Sequence, residues 1–304
     1  MSAAFKSGFV AIVGRPNAGK STLLNHLVGR KVAIVSPRPQ TTRNRIQGIL
    51  NRENAQMVLI DTPGMHKPET ALGRQMMQEI EQALDGIDVV VLLVDANKDF
   101  DPGDRWPLER VQRFRGPRFL LLNKIDLIPK TRLLPLIDAF RRETEFAEVI
   151  PISALTGDGL PLLLDTFAEY LPEGQPYFPP DQFTDQPERF LAGEIIREKV
   201  IASTREEVPH AVAVLVEDFQ ETPNLIRIRA TIHVEREGQK GIVIGRGGEM
   251  LKKIGTTARR ELEELLGVKV FLELYVKVRR DWRDNPALVR QLDWRRQLER
   301  LTGE

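Results

Sequence analysis

The chain has 304 residues, 41% hydrophobic and 29% charged, a size that points to about two domains and a mixture that buries a core under a solvated surface. That excludes a largely disordered chain, and 22 Gly with 20 Pro in no short period exclude collagen-like and low-complexity classes. No cysteine is present, ruling out disulfides and thiol chemistry, and 44 basic against 43 acidic residues name no partner by bulk charge.

The first half alternates short apolar runs with helical periods, which predicts an α/β fold with a mostly parallel sheet and helices on both faces. Strands are expected at Phe9–Val13, Ile46–Leu50, Met57–Asp61, Val89–Asp95, Phe119–Asn123 and Val149–Ser153. Several are apolar throughout, as strands covered on both faces should be. Helices are expected at Ser21–Leu27, Leu133–Thr144 and Leu160–Tyr170. Lys6 precedes the apolar run Phe9–Val13 but that run is short and enters a glycine-rich loop, so it reads as a buried strand rather than a signal peptide. The longest aliphatic run, Val89–Val94, is far short of the ~20 residues that cross a bilayer. The expected location is the cytoplasm.

Residues 172–187 hold five prolines, at 172, 176, 179, 180 and 187. Proline removes donors and favours extended backbone, so a linker is expected here, between a domain at 1–171 and a smaller one at 188–304. The second half reads as a helix at Arg189–Ser203, strands at Ala211–Val216 and Leu225–Val234, and a segment Gly241–Ile244 leading into a glycine-rich turn. A helix at Gly248–Leu266, a strand at Val268–Val278 and a charged helical tail after Pro286 follow.

Gly14, Arg15, Pro16, Asn17, Ala18, Gly19, Lys20 and Ser21, followed by Thr22, fit G-x-x-x-x-G-K-[ST] between an expected strand and an expected helix. Small residues there let backbone N–H groups turn toward phosphate oxygens, and the helix N-terminus adds a favourable dipole. Lys20 places positive charge at the β- and γ-phosphates, and the Ser21 hydroxyl is a Mg²⁺ ligand. Asp61, Thr62, Pro63 and Gly64 close the third strand. This puts a carboxylate near the loop, able to hold Mg²⁺ through water, and a Gly64 N–H able to approach the γ-phosphate.

Asn123, Lys124 and Asp126 follow another apolar strand. Asp126 can accept from the N1–H and 2-amino group of guanine, whereas adenine offers no donors there and would leave the carboxylate unpaired. The Lys124 stem can cover the base, Asn123 can bridge base and phosphate loop, and the turn Ser153-Ala154 can present an N–H to guanine O6. The two tetrapeptides alone are weak signals. The four motifs together, in this order and each at a strand end, specify a guanine-nucleotide site.

On these motifs residues up to about Tyr170 resemble a translation-factor-type GTPase domain. The resemblance extends to the first switch, Gln40-Thr41-Thr42-Arg43, and implies that one threonine, Thr42 in this reading, ligates Mg²⁺ only beside a γ-phosphate. Met65 stands where Ras-like proteins carry the water-orienting glutamine, and a thioether cannot orient water strongly. The resemblance therefore implies slow intrinsic turnover. It also implies a K⁺ ion held partly by Asn17, so that Lys20, Asn17, Thr42 and Gly64 are the groups expected to act on the reacting phosphate.

In the second half, Gly245, Arg246, Gly247 and Gly248 form a GxxG loop, followed by Lys252 and Lys253. Missing side chains let a nucleic-acid backbone approach, and Arg246 supplies charge. Between Lys240 and Arg260 six basic residues face one acid, and between Lys277 and Arg300 eight face four, a basic footprint on a neutral protein. Leu251, Ile254, Ala258, Leu262 and Leu265 make a buried stripe, with Lys252, Lys253, Arg259 and Arg260 largely off it. Trp282 and Trp294 could stack on bases, but anchoring of the tail to the domain is the favoured reading.

One GTPase domain, a proline-rich linker and a C-terminal α+β, type II KH-like domain with Ile244-Gly245-Arg246-Gly247-Gly248 resemble the Era family over nearly the whole chain. The resemblance implies GTP and GDP as ligands and binding of single-stranded RNA near the 3′ end of small-subunit (16S) rRNA. It further implies a role in 30S subunit assembly, peripheral contact with the inner membrane, and a monomer. A metabolic phosphotransferase with an accessory domain lacks a second substrate signature here. A passive RNA-binding module would not keep Lys20, Ser21, Asp61 and Asp126.

Overall fold

A computed structural model of the chain describes residues 4–65, 68–291 and 293. The expected tail beyond Gln291, with Trp294 and the charges after it, lies outside these apart from Asp293. The elements in order are β1 (Lys6–Val13), α1 (Lys20–Val28), β2 (Ile46–Arg52), β3 (Ala55–Asp61), α2 (Ala71–Ala83), β4 (Val89–Asp95), α3 (Pro102–Arg113), β5 (Arg118–Asn123), α4 (Leu133–Glu143), β6 (Glu148–Pro151) and α5 (Leu160–Tyr170). There follow α6 (Glu188–Ser203), α7 (Val208–Ala211), β7 (Ala213–Thr222), β8 (Leu225–Val234), α8 (Glu237–Ile244), α9 (Glu249–Leu266), β9 (Lys269–Val278) and α10 (Pro286–Gln291).

The first six strands form one sheet in the order β2-β3-β1-β4-β5-β6. All neighbours are parallel except β2, which pairs antiparallel with β3 across the turn at Glu53-Asn54. Residues Val89–Leu93 of the central β4 are fully buried. On one face Leu23, Leu163 and Phe167 pack on the sheet, Phe167 stacking on Phe119 at 5.6 Å between centroids. On the other, Ile80, Leu108, Val111 and Phe140 cover it. Each such buried side chain contributes about 1.5–3 kcal/mol. Because all parallel strands run the same way, their carboxyl ends bring residues 14, 61, 95, 123 and 153 to one rim, where ligands of open α/β sheets bind.

In the second unit β7-β8-β9 form a sheet, β7 antiparallel and β9 parallel to β8. Ile195, Val200, Ile254, Ala258 and Leu262 from α6 and α9 pack on Ile228, Ala230 and Ile232. The core stripe of α9 follows the helical period seen in the sequence. The helix–strand–strand–helix–helix–strand order is that of a type II KH fold.

Several boundaries differ from the sequence reading. β6 ends at Pro151 rather than Ser153, because the turn after it closes on itself: Gly157 N–H donates to Ser153 O (2.8 Å) and Ser153 N–H to Asp158 O (2.9 Å). Ala211 is not in a strand but ends α7, whose first turn contains Pro209. Gly241–Ile244 is the second half of α8. The periodicity reading does not name α3, which contains Pro102 and Pro107; its start is fixed by Asp101, whose side chain accepts from Gly103 N–H (2.6 Å) in a reciprocal cap with Asp104.

The described residues fall into two compact units, one within Met1–Ala33, Pro39–Lys67 and Met76–Asp185, the other within Ile34–Arg38, Pro68–Gln75 and Gln186–Glu304. The proline-rich segment is therefore not a free tether. Residues 172–185 are strapped to the first unit, since proline-rich backbone still offers carbonyls. Buried Gln56 donates to Phe178 O (2.8 Å) and accepts from Tyr177 and Phe178 N–H (2.7 and 2.9 Å). Ile49 N–H donates to Phe183 O (2.9 Å), and Thr184 Oγ1 to Gln47 O (2.7 Å). Residues 34–38 group with the second unit, where Val35 N–H donates to Glu198 Oε1 (3.0 Å).

Candidate guanine-nucleotide site and RNA-binding loop

The phosphate loop, residues 14–21, spans the end of β1 and the first turn of α1. Lys20 is buried, and its Nζ donates to Gly14 O (3.2 Å) and Arg15 O (3.0 Å). Burial lowers its pKa to about 8, with Asp61 opposing the shift, so the ammonium stays charged at neutral pH. The Arg15 side chain turns outward instead of toward the loop's interior. Its Nη1 donates to Asp101 Oδ2 (2.6 Å) and approaches Asp104 Oδ2 (3.5 Å), tying the loop to the start of α3. Arg15 thus contributes backbone, not charge, to a phosphate cradle, while Asn17 sits at a left-handed φ of 64°.

Ser21 Oγ donates to Asp61 Oδ2 (2.6 Å) and lies 2.8 Å from Thr42 Oγ1, which is 3.4 Å from the same carboxylate oxygen. Asp61 is fully buried, and its other oxygen, Oδ1, has no hydrogen-bond partner. Burial raises the Asp61 pKa to about 6, against the pull of Lys20 and the two hydroxyls. Two hydroxyls and an unsatisfied buried carboxylate make a hard-oxygen set suited to Mg²⁺, a cation that favours oxygen donors and keeps waters of its own. Thr42, Ser21 and Asp61, expected as metal ligands, are thus brought together.

Asp61-Thr62-Pro63-Gly64 leaves β3 along the phosphate loop. Thr62 Oγ1 donates to Ile12 O (2.8 Å), Met65 N–H to Gly14 O (3.1 Å), and a Cβ on Gly64 would lie 2.7 Å from Pro16 Cα. Only glycine fits that approach. The Met65 side chain is buried in the core beside Val13 and Leu92, so it fills space rather than orienting water.

At the base end, Asn123 Nδ2 donates to Ala18 O (2.8 Å), and Lys124 Nζ to Asn17 O (2.9 Å) and Asp95 Oδ2 (2.7 Å). Both residues brace the phosphate loop; the Asp95 contact has no motif in the sequence to announce it. Ser153 Oγ donates to Asp126 Oδ1 (2.6 Å), orienting the exposed carboxylate. The Ala154 N–H, expected to face guanine O6, donates to Asn123 Oδ1 (2.9 Å). This differs from the sequence reading because Asn123 reaches across from the neighbouring strand end.

In the second unit α8 and α9 meet at the GxxG loop. Gly245, Gly247 and Gly248 have φ of 76°, 59° and 84°, and Gly247 has no heavy atom within 4 Å of a built Cβ, so the loop's outer side is open. Arg246, Lys252 and Lys253 are exposed beside it. Arg259 is engaged elsewhere, with Glu263 (3.0 Å). Trp282 is buried and donates from Nε1 to Ala211 O (2.8 Å), a tail anchor as expected.

Comparison with known proteins gives both folds. The family described as 50S ribosome-binding GTPase matches residues 9–124, and the KH domain family matches residues 207–283. GTPase Era of Syntrophus aciditrophicus (strain SB) is 53% identical over 292 residues, 95% of each chain. A crystal structure of Era with MgGDPNP and nucleotides 1506–1542 of 16S ribosomal RNA aligns with a TM-score of 0.91 and 46% identity, over 95% of this chain and 99% of that one. A variant of Aquifex aeolicus Era bound to GDP and AlF4⁻ aligns with a TM-score of 0.91 and 45% identity, over the same shares.

Proposed function

The chain belongs to the Era family of GTPases, and we propose that GTP binding and hydrolysis time its grip on the 3′-terminal segment of 16S rRNA during 30S subunit assembly. The carrying observation is that Thr42, from the segment before β2, meets Ser21 and Asp61 at one point. A hydroxyl so placed could join a Mg²⁺ that also holds the γ-phosphate, which would tie the order of its segment to the nucleotide state.

Hydrolysis is attack of water on the γ-phosphate, which rests on positioning and charge stabilisation. Lys20 would hold positive charge against the β- and γ-oxygens, with loop N–H groups as further donors. Mg²⁺, when bound, supplies charge neutralisation across the β- and γ-phosphates; Ser21, Thr42 and Asp61 would hold it. Gly64 leaves room for its N–H to reach the γ-phosphate. Met65, at the position where a water-orienting side chain is expected, is buried in the core, which supports slow intrinsic turnover. A K⁺ ion on Asn17 would add charge at the same oxygens; rates in potassium and sodium buffers, with Asn17→Ala as control, test this, and equal rates would refute it.

The RNA side rests on the GxxG loop and on the relative crystallised with 16S rRNA nucleotides. Such a protein would work as a monomer in the cytoplasm. No described helix is long and apolar enough to cross a membrane, so any membrane contact would be peripheral. The deciding measurement is affinity for a 3′-terminal 16S oligonucleotide with GDPNP or GDP bound. A difference between the two states is expected, and equal affinities would overturn the switch.

A further inference from the structure

We infer that His26 sets guanine specificity by holding the turn that meets O6 of the base. The inference rests on the reading of Asp126 and the turn at Ser153-Ala154 as the base-recognising groups; since Asn123 takes the Ala154 N–H, the next N–H of the turn, that of Leu155, is the one assigned to O6. His26 lies in the last turn of α1, the helix whose first turn carries Lys20 and Ser21. A carbonyl only accepts, so its Nδ1–H donates to Ala154 O, at 3.0 Å. The ring also lies against the turn, since a Cβ on Gly157 would be 3.2 Å from Cε1 and Nε2.

Ala154 is therefore pinned at both backbone atoms, its N–H by Asn123 (2.9 Å) and its C=O by His26. In a trans peptide the C=O and the following N–H point opposite ways. Aiming Ala154 O at α1 turns the Leu155 N–H away from α1, toward the open side of the turn. Bonds inside the turn, such as Thr156 N–H to Ser153 Oγ (3.1 Å), fix its shape but not its place. His26 fixes its place against the helix that also holds the phosphates. It is a positioning residue, since it acts on the base through the 154–155 peptide.

O6 can be separated from the rest of guanine chemically. Inosine triphosphate lacks the 2-amino group read by Asp126, and 6-thioguanosine triphosphate puts sulfur, a weak acceptor, in place of O6 while keeping the N1–H and the 2-amino group. Competition binding of GTP against each analogue gives two selectivity ratios for the full chain. His26→Phe keeps a ring and removes the donor. It should narrow the GTP-over-6-thioguanosine ratio roughly threefold to tenfold, the worth of one hydrogen bond, and leave the GTP-over-inosine ratio unchanged. His26→Gln, which keeps a donor, should restore the first ratio.

A His26→Phe ratio equal to wild type, or an equal fall in both ratios, overturns the inference. If wild type itself shows no preference for GTP over either analogue, the guanine reading fails first.

Discussion

Ser21 Oγ and Asp61 Oδ2 are 2.6 Å apart, while Asp61 Oδ1 is buried with no partner. A carboxylate held this way destabilises the nucleotide-free protein and is repaid only by a cation. Asp61→Asn should leave thermal stability in EDTA equal or higher. It should also weaken the Mg²⁺ dependence of GTP binding by roughly 10–100-fold, the usual loss when a group supporting a metal is removed. An unchanged Mg²⁺ midpoint in a nucleotide-binding titration would refute the role given to Asp61.

Ser153 has one hydroxyl proton and gives it to Asp126 Oδ1 (2.6 Å). In Asp126→Asn that bond keeps the carbonyl oxygen on Ser153 and turns the amide nitrogen to the base. Guanine N1–H then meets a donor, whereas xanthine offers an oxygen at C2. GTP affinity should fall roughly 100-fold and XTP should become the preferred ligand. Calorimetry showing unchanged guanine preference would remove the assignment.

Gly247 has φ of 59°, which aspartate tolerates better than most residues, and its Cβ direction is open. Gly247→Asp should therefore fold and place negative charge where a phosphate backbone would lie. We expect at least a tenfold loss in RNA affinity by filter binding, from like-charge repulsion and added bulk, with GDP affinity unchanged. Normal RNA retention would move the RNA site away from this loop.

His233 is buried on β8 with neither ring nitrogen hydrogen-bonded. Burial lowers its pKa to about 4, helped by Arg279 and Lys277 and opposed by Glu217. Its ordinary value near 6.5 applies once the chain unfolds. The neutral ring's contribution is complete above about 6.5 and is lost as pH falls toward 4, because only the unfolded chain takes the proton. Between pH 7 and 4.5 wild type should lose about 2–3 kcal/mol more than His233→Leu. Urea midpoints at both pH values check this, and parallel acid profiles would contradict it.

Strands β4 and β8 and helix α5 were legible residue for residue, because apolar runs between turn residues and three- to four-residue stripes report burial directly. The phosphate loop and Asp61, Asn123 and Asp126 were legible because their chemistry demands fixed types at fixed spacings. The side chains that brace them were not. Arg15 reads as a phosphate contact and instead serves the cap of α3. Asp95 and His26 belong to no motif; they matter through contacts with residues 29 and 128 positions away. Helix α3 is obscured by two prolines, though the pair Asp101 and Asp104 around Pro102 marks its start.

The strap at 172–185 has a practical corollary for dissecting the molecule. β2 is an outermost strand, and an uncovered edge of that kind recruits strands from other molecules. The Gly48–Thr184 bridge and the bond from Ile49 N–H to Phe183 O close it off. A fragment stopped at Leu171 would bare that edge and self-associate on concentration, whereas one carried through Asp185 would bring its own cover and remain dispersed.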